Sequence, residues 1–222
     1  MALLKTTYCI NEINSVIINE IGVDEAGRGP MLGRVYAGAV ILPKSAEEFN
    51  HFWMKDSKKF HSEKKIREVA RYIKEKSIAW AVAYSDEREI DAINIRNATH
   101  QAMHKAIKDV LIQKVEHMNK ETLLLIDGND FTPFLQNNEK IPHVCIEGGD
   151  NAYSCIAAAS ILAKVARDDY IAELCTEHPN LITHYDLLKN KGYGTKKHMD
   201  GIKQYGISPF HRKTFGICRD FA

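Results

Sequence analysis

The chain has little of what would tie it to a membrane or to an oxidising compartment. Its longest small and apolar stretch, Ala152 to Ala163, is interrupted by Ser154 and Ser160 and stops at Lys164, well short of the ~20 residues that a bilayer-spanning helix needs. The first twenty residues hold a single lysine and no continuous apolar run, so they do not read as a secretory signal. Five cysteines, Cys9, Cys145, Cys155, Cys175 and Cys218, are odd in number and include no Cys-x-x-Cys pair, which argues against a disulfide framework and a structural zinc site. The nearest approach to a zinc cluster, Cys175 with His178 and His184, lacks a fourth ligand at suitable spacing. These absences predict a cytoplasmic protein without membrane contact. Repeats and low-complexity tracts are missing too, and 222 residues at 45% hydrophobic and 27% charged suit one large globular domain, residues 1–222. Within it we expect an N-terminal extension over about 1–20 and a basic helical region over about 180–222, the whole acting as a monomer.

Net charge is only +1, but it is unevenly spread. From Leu187 to Ala222 stand eight cations (Lys189, Lys191, Lys196, Lys197, Lys203, Arg212, Lys213 and Arg219) against Asp200 and Asp220, which leaves the preceding residues at −5. A basic segment opposite an acidic pocket suits a polyanion, since Lys and Arg neutralise the phosphates that flank a metal-held one.

Hydrophobic periodicity gives the coarse order of elements. Residues 21–25 read as a short strand, and Val35 to Leu42, ending at Pro43, pairs with it as a hairpin. Ser62 caps a helix over Glu63 to Lys76, in which Ile66, Val69, Ala70 and Ile73 fall at helical spacing. A buried third strand, Ser77 to Tyr84, leads to a long amphipathic helix from Ile93 to Met118. Thr122 to Ile126 is a solidly apolar fourth strand and Pro142 to Ile146 a fifth, after which Asn151 caps an Ala-rich helix running to about Leu174. Strands in a run, then strands alternating with helices, predict an α/β fold: a mixed five-stranded sheet flanked by helices. After Pro179 the chain reads as helical and irregular, packed on the side of that sheet.

Within this frame the carboxylates are the informative residues. Ile21 to Pro30 reads Ile-Gly-Val-Asp-Glu-Ala-Gly-Arg-Gly-Pro, so two adjacent acids close an apolar strand before glycines break the chain. The Gly27-Arg28-Gly29 turn frees backbone N–H groups and permits positive φ, letting the main chain approach a ligand closely. Neighbouring strand side chains point to opposite faces. Asp24 is therefore expected to face the site, and Glu25 to join it through local distortion or its backbone carbonyl. Asp127 ends the run Leu-Leu-Leu-Ile-Asp before Gly128, the place where open α/β sheets present ligand groups. Asp150 stands at the start of a helix whose dipole favours an anion. Carboxylates gathered in one cleft repel by about 4 kcal/mol per pair at ~4 Å and an effective dielectric near 20. Hard divalent cations, Mg²⁺ or Mn²⁺, are their natural companions, and paired metals of this kind activate a water and stabilise the leaving oxygen in phosphoryl transfer.

These residues closely resemble ribonuclease HII, the type 2 ribonuclease H of bacteria, over nearly the whole chain. The family's Asp-Glu-x-Gly-Arg-Gly-Pro stands at Asp24 to Pro30, its Asp-Ser-Lys-Lys at Asp56 to Lys59, and its Ile-Asp-Gly-Asn at Ile126 to Asn129. Ala-Ala-Ser-Ile-Leu-Ala-Lys-Val follows at Ala158 to Val165 with Arg167-Asp168 after it, then Gly-Tyr-Gly-Thr at Gly192 to Thr195 and His-Arg-x-Ser/Thr-Phe at His211 to Phe215. The resemblance implies an RNase H-like fold and metal-dependent hydrolysis of RNA strands in RNA/DNA hybrids. It extends to single ribonucleotides inside duplex DNA, cut on the 5′ side to leave 3′-OH and 5′-phosphate ends. By the same resemblance Asp24, Glu25, Asp127 and Asp150 are the catalytic and metal-binding acids, Gly27, Arg28 and Gly29 read the ribose 2′-OH, and Tyr193 packs on the sugar beyond the junction. Ser160, Lys164 and Arg167 share one helix face, opposite Ile156, Ala159, Ala163 and Ala166, that meets either substrate or water. Lys58 and Lys59 meet either phosphate or water, and His211 reads as structural. One departure stands out: where the family shows Lys-Gly-Asp before the fourth acid, this chain has Gly148-Gly149-Asp150, which removes a nearby positive charge.

Three other readings compete. Ribonuclease HIII usually carries a separate N-terminal substrate-binding domain and lacks the arginine of the glycine turn, whereas Arg28 is present here. A catalytically idle nucleic-acid-binding module would gain nothing from four mutually repelling carboxylates. A Holliday-junction resolvase on the same fold has no reason to keep the Gly-Arg-Gly turn.

Overall fold

The structure, a computed structural model, describes residues 3–8, 19–113 and 122–222. Strands β1 (Asn19–Ala26), β2 (Val35–Ile41), β3 (Ala79–Ser85) and β4 (Thr122–Asp127) are followed by a two-stranded hairpin of β5 (Leu135–Gln136) and β6 (Glu139–Lys140), and then by β7 (His143–Ile146). The main sheet has the order β3-β2-β1-β4-β7. β1 pairs antiparallel with β2 and β2 with β3, while β1, β4 and β7 run parallel. The mixed five-stranded sheet expected from the sequence is therefore present; the small β5–β6 hairpin, turning through left-handed Asn137 and Asn138, was not anticipated.

Strand alternation sorts the side chains to two faces. Ile21, Val23, Leu124 and Ile126 pack with Ala102, Ala106, Ile107 and Val110 of helix α2 (Glu87–Gln113). Val40 and Leu125 face the other way, onto α1 (Glu63–Lys76) and α3 (Ser154–Glu177). Each fully buried aliphatic side chain contributes about 1.5–3 kcal/mol, and burial on both faces explains why β2 and β4 read as nearly continuous apolar runs. Two glycines bring α3 unusually close to the sheet. A Cβ on Gly22 would lie 2.2 Å from the Cys155 carbonyl carbon, and one on Gly38 2.4 Å from the Ala159 oxygen. The Ala-rich start of α3 is the matching requirement, and it delivers Ser160 to the end of β1.

Ser62 caps α1 as expected, accepting from the Lys65 amide. Helix α2 begins earlier than the predicted Ile93, because Asp86 accepts from the Arg88 and Glu89 amides and starts a first segment at Glu87. That segment breaks at Asn94, with φ 67°, and the Asn94 side chain then caps the second by accepting from the Asn97 amide. The predicted end at Met118 lies outside the described residues. Asn151 does not cap α3. It belongs to a 3₁₀ turn, Gly149–Asn151, and its amide turns to Asp150 and Asp56, while the Ser154 N–H at the helix start donates to the Lys5 carbonyl at 3.0 Å. The C-terminal helices α4 (Asn180–Tyr185), α5 (Leu187–Asn190) and α6 (Lys196–Tyr205) pack chiefly on α3 rather than on the side of the sheet: Leu181, Tyr185, Leu187 and Ile202 meet Ala163, Ile171 and Leu174. Among the described residues no helix is long and apolar enough to cross a membrane.

Candidate active site

The parallel register sets Val23 opposite Ile126, so the next residues, Asp24 and Asp127, stand side by side at the C-terminal ends of β1 and β4. Both point to the α3 face by alternation. Asp24 is buried, and its Oδ1 accepts from the Glu25 amide at 2.7 Å. Burial first, then the Glu25 and Asp127 carboxylates, hold its carboxyl well above the usual range, against a hydrogen bond from Ser160. Asp127 Oδ1 lies 3.4 Å from the Asp150 amide. Burial likewise raises Asp150, helped by Asp127 and Asp56 and opposed by Lys58 and Asn151. Gly148 adopts φ 65° just before this 3₁₀ turn, and it is the turn, not the first turn of α3, that positions Asp150.

Glu25 corrects an expectation. The β1–β2 register runs unbroken through Glu25↔Ala37 and Ala26↔Tyr36, so no bulge lies there and β1 ends only after Ala26. Its side chain nevertheless lines the same cleft and pairs with Arg28 Nη1 at 3.5 Å. Burial raises its carboxyl although Arg28 opposes the shift.

The Gly27-Arg28-Gly29 turn is held from within by two arginines. Gly27 has φ 96°, and a Cβ there would fall 2.2 Å from Arg167 Nε. Arg212, fully buried, donates Nε to the Gly33 carbonyl at 2.8 Å, Nη1 to Arg28 at 2.9 Å and Nη2 to Gly27 at 2.6 Å. Burial and the nearby Arg167 push it down to about 9, so it remains a cation at neutral pH. Arg167 donates Nη2 to the Lys191 carbonyl at 2.8 Å, while its buried Nε has no hydrogen-bond partner.

Tyr193 stands half exposed over the turn, its Cε1 3.3 Å from where a Gly29 Cβ would sit. A chain of histidines anchors its backbone. The Ser208 amide donates to His211 Nδ1 at 2.9 Å, which leaves the His211 proton on Nε2; that proton goes to His198 Nε2 at 3.0 Å, and His198 Nδ1–H donates to the Tyr193 carbonyl at 3.0 Å. Both rings are neutral: burial lowers His198, and burial with His198 beside it takes His211 down to about 3. Asn190 adds a further tie, donating to the Tyr185 carbonyl at 2.6 Å and accepting from the Gly192 amide at 2.8 Å.

These groups surround one cleft of about 470 Å³, lined by Asp24, Glu25, Asp127, Asp150, the glycine turn and Tyr193, with Lys58, Lys164, Lys189 and Lys191 at its margins. Lys59 faces away and contacts Asn151. Ser57 and Ser160, 3.0 Å apart, dock the Asp56–Lys59 loop onto α3. The polar face of α3 lines the cleft: Ser160 and Arg167 are themselves buried, and the partly exposed Lys164 is paired with Asp168 at 2.8 Å. Of the first four lysines in the basic stretch, Lys189 and Lys191 reach the cleft, whereas Lys196 and Lys197 pair with Asp200 and Asp186. Among the four acids only Glu25 has an ion-pair partner among the described residues. Carboxylates this poorly balanced, all oxygen donors, fit a hard divalent cation. Among the described residues they line the cleft without being closed into a ready-made three-ligand set.

Sequence reasoning missed Arg212, His198 and Asn190 as holders of the site. Arg212 and His211 did lie in a quoted motif, whose His-Arg pair was the available signal.

A family model described as ribonuclease HII matches residues 21–218. A ribonuclease HII of Parabacteroides distasonis is 48% identical over 198 residues, covering 89% of this chain and 90% of that protein. One of Bacteroides thetaiotaomicron is 45% identical over 201 residues, covering 90% and 91%. Among solved structures, the ribonuclease H2 of Pyrococcus horikoshii superposes with a TM-score of 0.71 at 22% identity over 91% of this chain and 96% of that one, a likeness that speaks for the fold.

Proposed function

The chain belongs to the ribonuclease HII family, nucleases of RNA/DNA hybrids, and from that premise we propose that it also cuts DNA duplexes at single embedded ribonucleotides. The cut falls on the 5′ side of the ribonucleotide and leaves 3′-OH and 5′-phosphate ends. The observation that carries this reading is the placement of the Tyr193 ring against the Gly27–Gly29 turn at the rim of the acidic cleft. Backbone groups in the turn can test for a 2′-OH, and a flat ring beside them packs best on a sugar that lacks one. Both conditions are met only where a ribonucleotide is followed by a deoxyribonucleotide.

Asp24, Glu25, Asp127 and Asp150 would hold Mg²⁺ or Mn²⁺. A divalent ion bound there supplies Lewis-acid stabilisation of charge developing on the phosphate. Lys58, Lys164, Lys189 and Lys191 neutralise neighbouring phosphates without reading sequence. Arg28, paired with Glu25, keeps a cation at the mouth of the turn. Water, not the ribose hydroxyl, attacks the phosphorus, so the 2′-OH survives and no cyclic phosphate forms.

The test is to map product ends on a DNA duplex carrying one ribonucleotide, with and without excess EDTA. The expected result is a single 5′-side cut that EDTA abolishes. A 2′,3′-cyclic phosphate, a cut on the 3′ side or turnover that persists in EDTA would overturn the reading.

A further inference from the structure

A second cavity, of about 410 Å³, lies against the outer side of the Asp56–Lys59 loop. Its walls alternate aromatic rings with lysines. Phe52, Trp53 and Phe60 line it together with Lys55, Lys59 and Lys65. Lys65 Nζ sits 4.6 Å from the Trp53 ring centre and Lys55 Nζ 4.3 Å from that of Phe60. Phe52 is 80% exposed, the most open of the large hydrophobic side chains among the described residues.

The cavity and the catalytic cleft are lined by sequence neighbours in two places. Along the loop, Lys55, Asp56, Lys59 and Phe60 open into the aromatic groove, while Ser57 and Lys58 open into the cleft. At the next turn Asn151 lines the groove and Asp150 the cleft. Neighbouring residues of one loop and one turn thus separate the two openings, and a polymer leaving the cleft past Lys58 and Asp150 is directed toward the groove. Lys55 and Lys59, with Lys65 beside them although it is paired to Glu68 at 3.1 Å, stand against the single lining acid Asp56 and leave the groove the charge that a phosphodiester backbone needs. Interleaved rings and cations are the arrangement that stacks unpaired bases and tracks their phosphates.

We propose that this groove holds unpaired nucleotides of a strand that continues beyond the scissile site, with a base stacked on Phe52 beside Trp53, whose own ring packs on Tyr72, and phosphates on Lys55, Lys59 and Lys65. The enzyme then favours ribonucleotides that lie close to a single-stranded segment. The proposal rests on the nuclease reading above, but its binding step is separable from cleavage.

The experiment measures dissociation constants in EDTA for a ribonucleotide-containing duplex, blunt or with a ten-nucleotide DNA tail placed in turn on each strand end near the ribonucleotide. Intrinsic fluorescence is recorded in a Trp80→Phe background, which leaves Trp53 as the sole tryptophan. We expect at least one tail position to bind tighter by roughly 5- to 150-fold, the span for one stacked base, and to quench Trp53. Phe52→Ala should remove that gain and leave blunt-duplex binding and cleavage unchanged, and Phe52→Trp should keep it. Equal affinities for blunt and tailed duplexes with Trp53 unmoved would overturn the proposal and leave the groove to an apolar protein segment. A Phe52→Ala loss that is the same for both duplexes would overturn it too. Failure of the nuclease reading would appear instead as absent cleavage with the tail effect intact.

Discussion

The glycine turn should owe its shape to Arg212 more than to its own sequence, and Arg212→Lys tests this. Arg212 makes three donations to the carbonyls of Gly27, Arg28 and Gly33. A lysine keeps the positive charge but its compact ammonium cannot span three carbonyls held by a planar fork, so about two of the bonds are lost. At about 1.5–3 kcal/mol for each bond to a charged group, the cost is about 3–6 kcal/mol. For a chain of this size each kcal/mol lowers Tm by roughly 2–4 °C, which places the drop between about 6 and 24 °C. Activity should fall further than stability does. The carbonyls released line the cleft's glycine turn, and a displacement of ~1 Å at a positioning group costs on the order of 100-fold in rate. The assay is differential scanning calorimetry alongside kcat/KM on a ribonucleotide-containing duplex, measured well below the variant's Tm. A variant that melts within about 2 °C of the parent and turns over at the parent rate would refute the claim that these three bonds hold the turn.

Two further outcomes are expected. In chelated protein, the Asp24 carboxyl is raised in the fold, so the folded chain holds that proton more tightly and stability falls as pH climbs above the unfolded value of about 3.9, by about 1.4 kcal/mol for each unit of the raise. Asp24→Asn should therefore melt higher than the parent at neutral pH in EDTA while abolishing turnover; a lower Tm would count against the burial argument. Replacing Lys189 and Lys191 together by Gln should flatten the slope of log K against log salt by about 0.9 per lost contact on any duplex, whereas Lys196 and Lys197, paired with Asp200 and Asp186, should leave it unchanged.

How much of this was legible depended on whether a residue's partner was local. Asp127 was readable because an apolar strand run announces its own end, and Asp24 because the glycines beside it do the same. The parallel register that joins them, Val23 opposite Ile126, adds only that both runs end level. Glu25 was harder. Alternation argued that it needs a break in the strand, yet pairing continues to Ala26 and the side chain still reaches the cleft from the last positions of β1. The start of α3 was misread because Asn151 has the chemistry of a cap, while the Lys5 carbonyl, far away in sequence, takes the Ser154 amide. The role of Arg212 was hidden for the same reason: the residue lay in a quoted motif, but its acceptor at Gly27 is 185 residues distant, and nothing in the spacing of either motif records the bond.

That long-range bond also determines which way the turn can donate. In a trans peptide the N–H points opposite to the C=O, and the chain contains no cis peptides among the described residues. Because the Gly27 and Arg28 carbonyls point inward to Arg212, the N–H groups in the same two peptides, those of Arg28 and Gly29, point the other way, on the side where all three residues line the cleft. A peptide whose carbonyl is bonded to a cation is polarised along its length and donates more strongly at its other end, by about 10–30% per bond. Two arginines buried behind the turn, with no carboxylate in ion-pair contact among the described residues, thus make its outer face a better donor surface for a sugar hydroxyl than the glycines alone would provide. Meanwhile the four acids beside it keep the adjoining wall negative. The two halves of the cleft carry opposite electrostatics, and a ribose with its phosphate is a ligand that can use both at once.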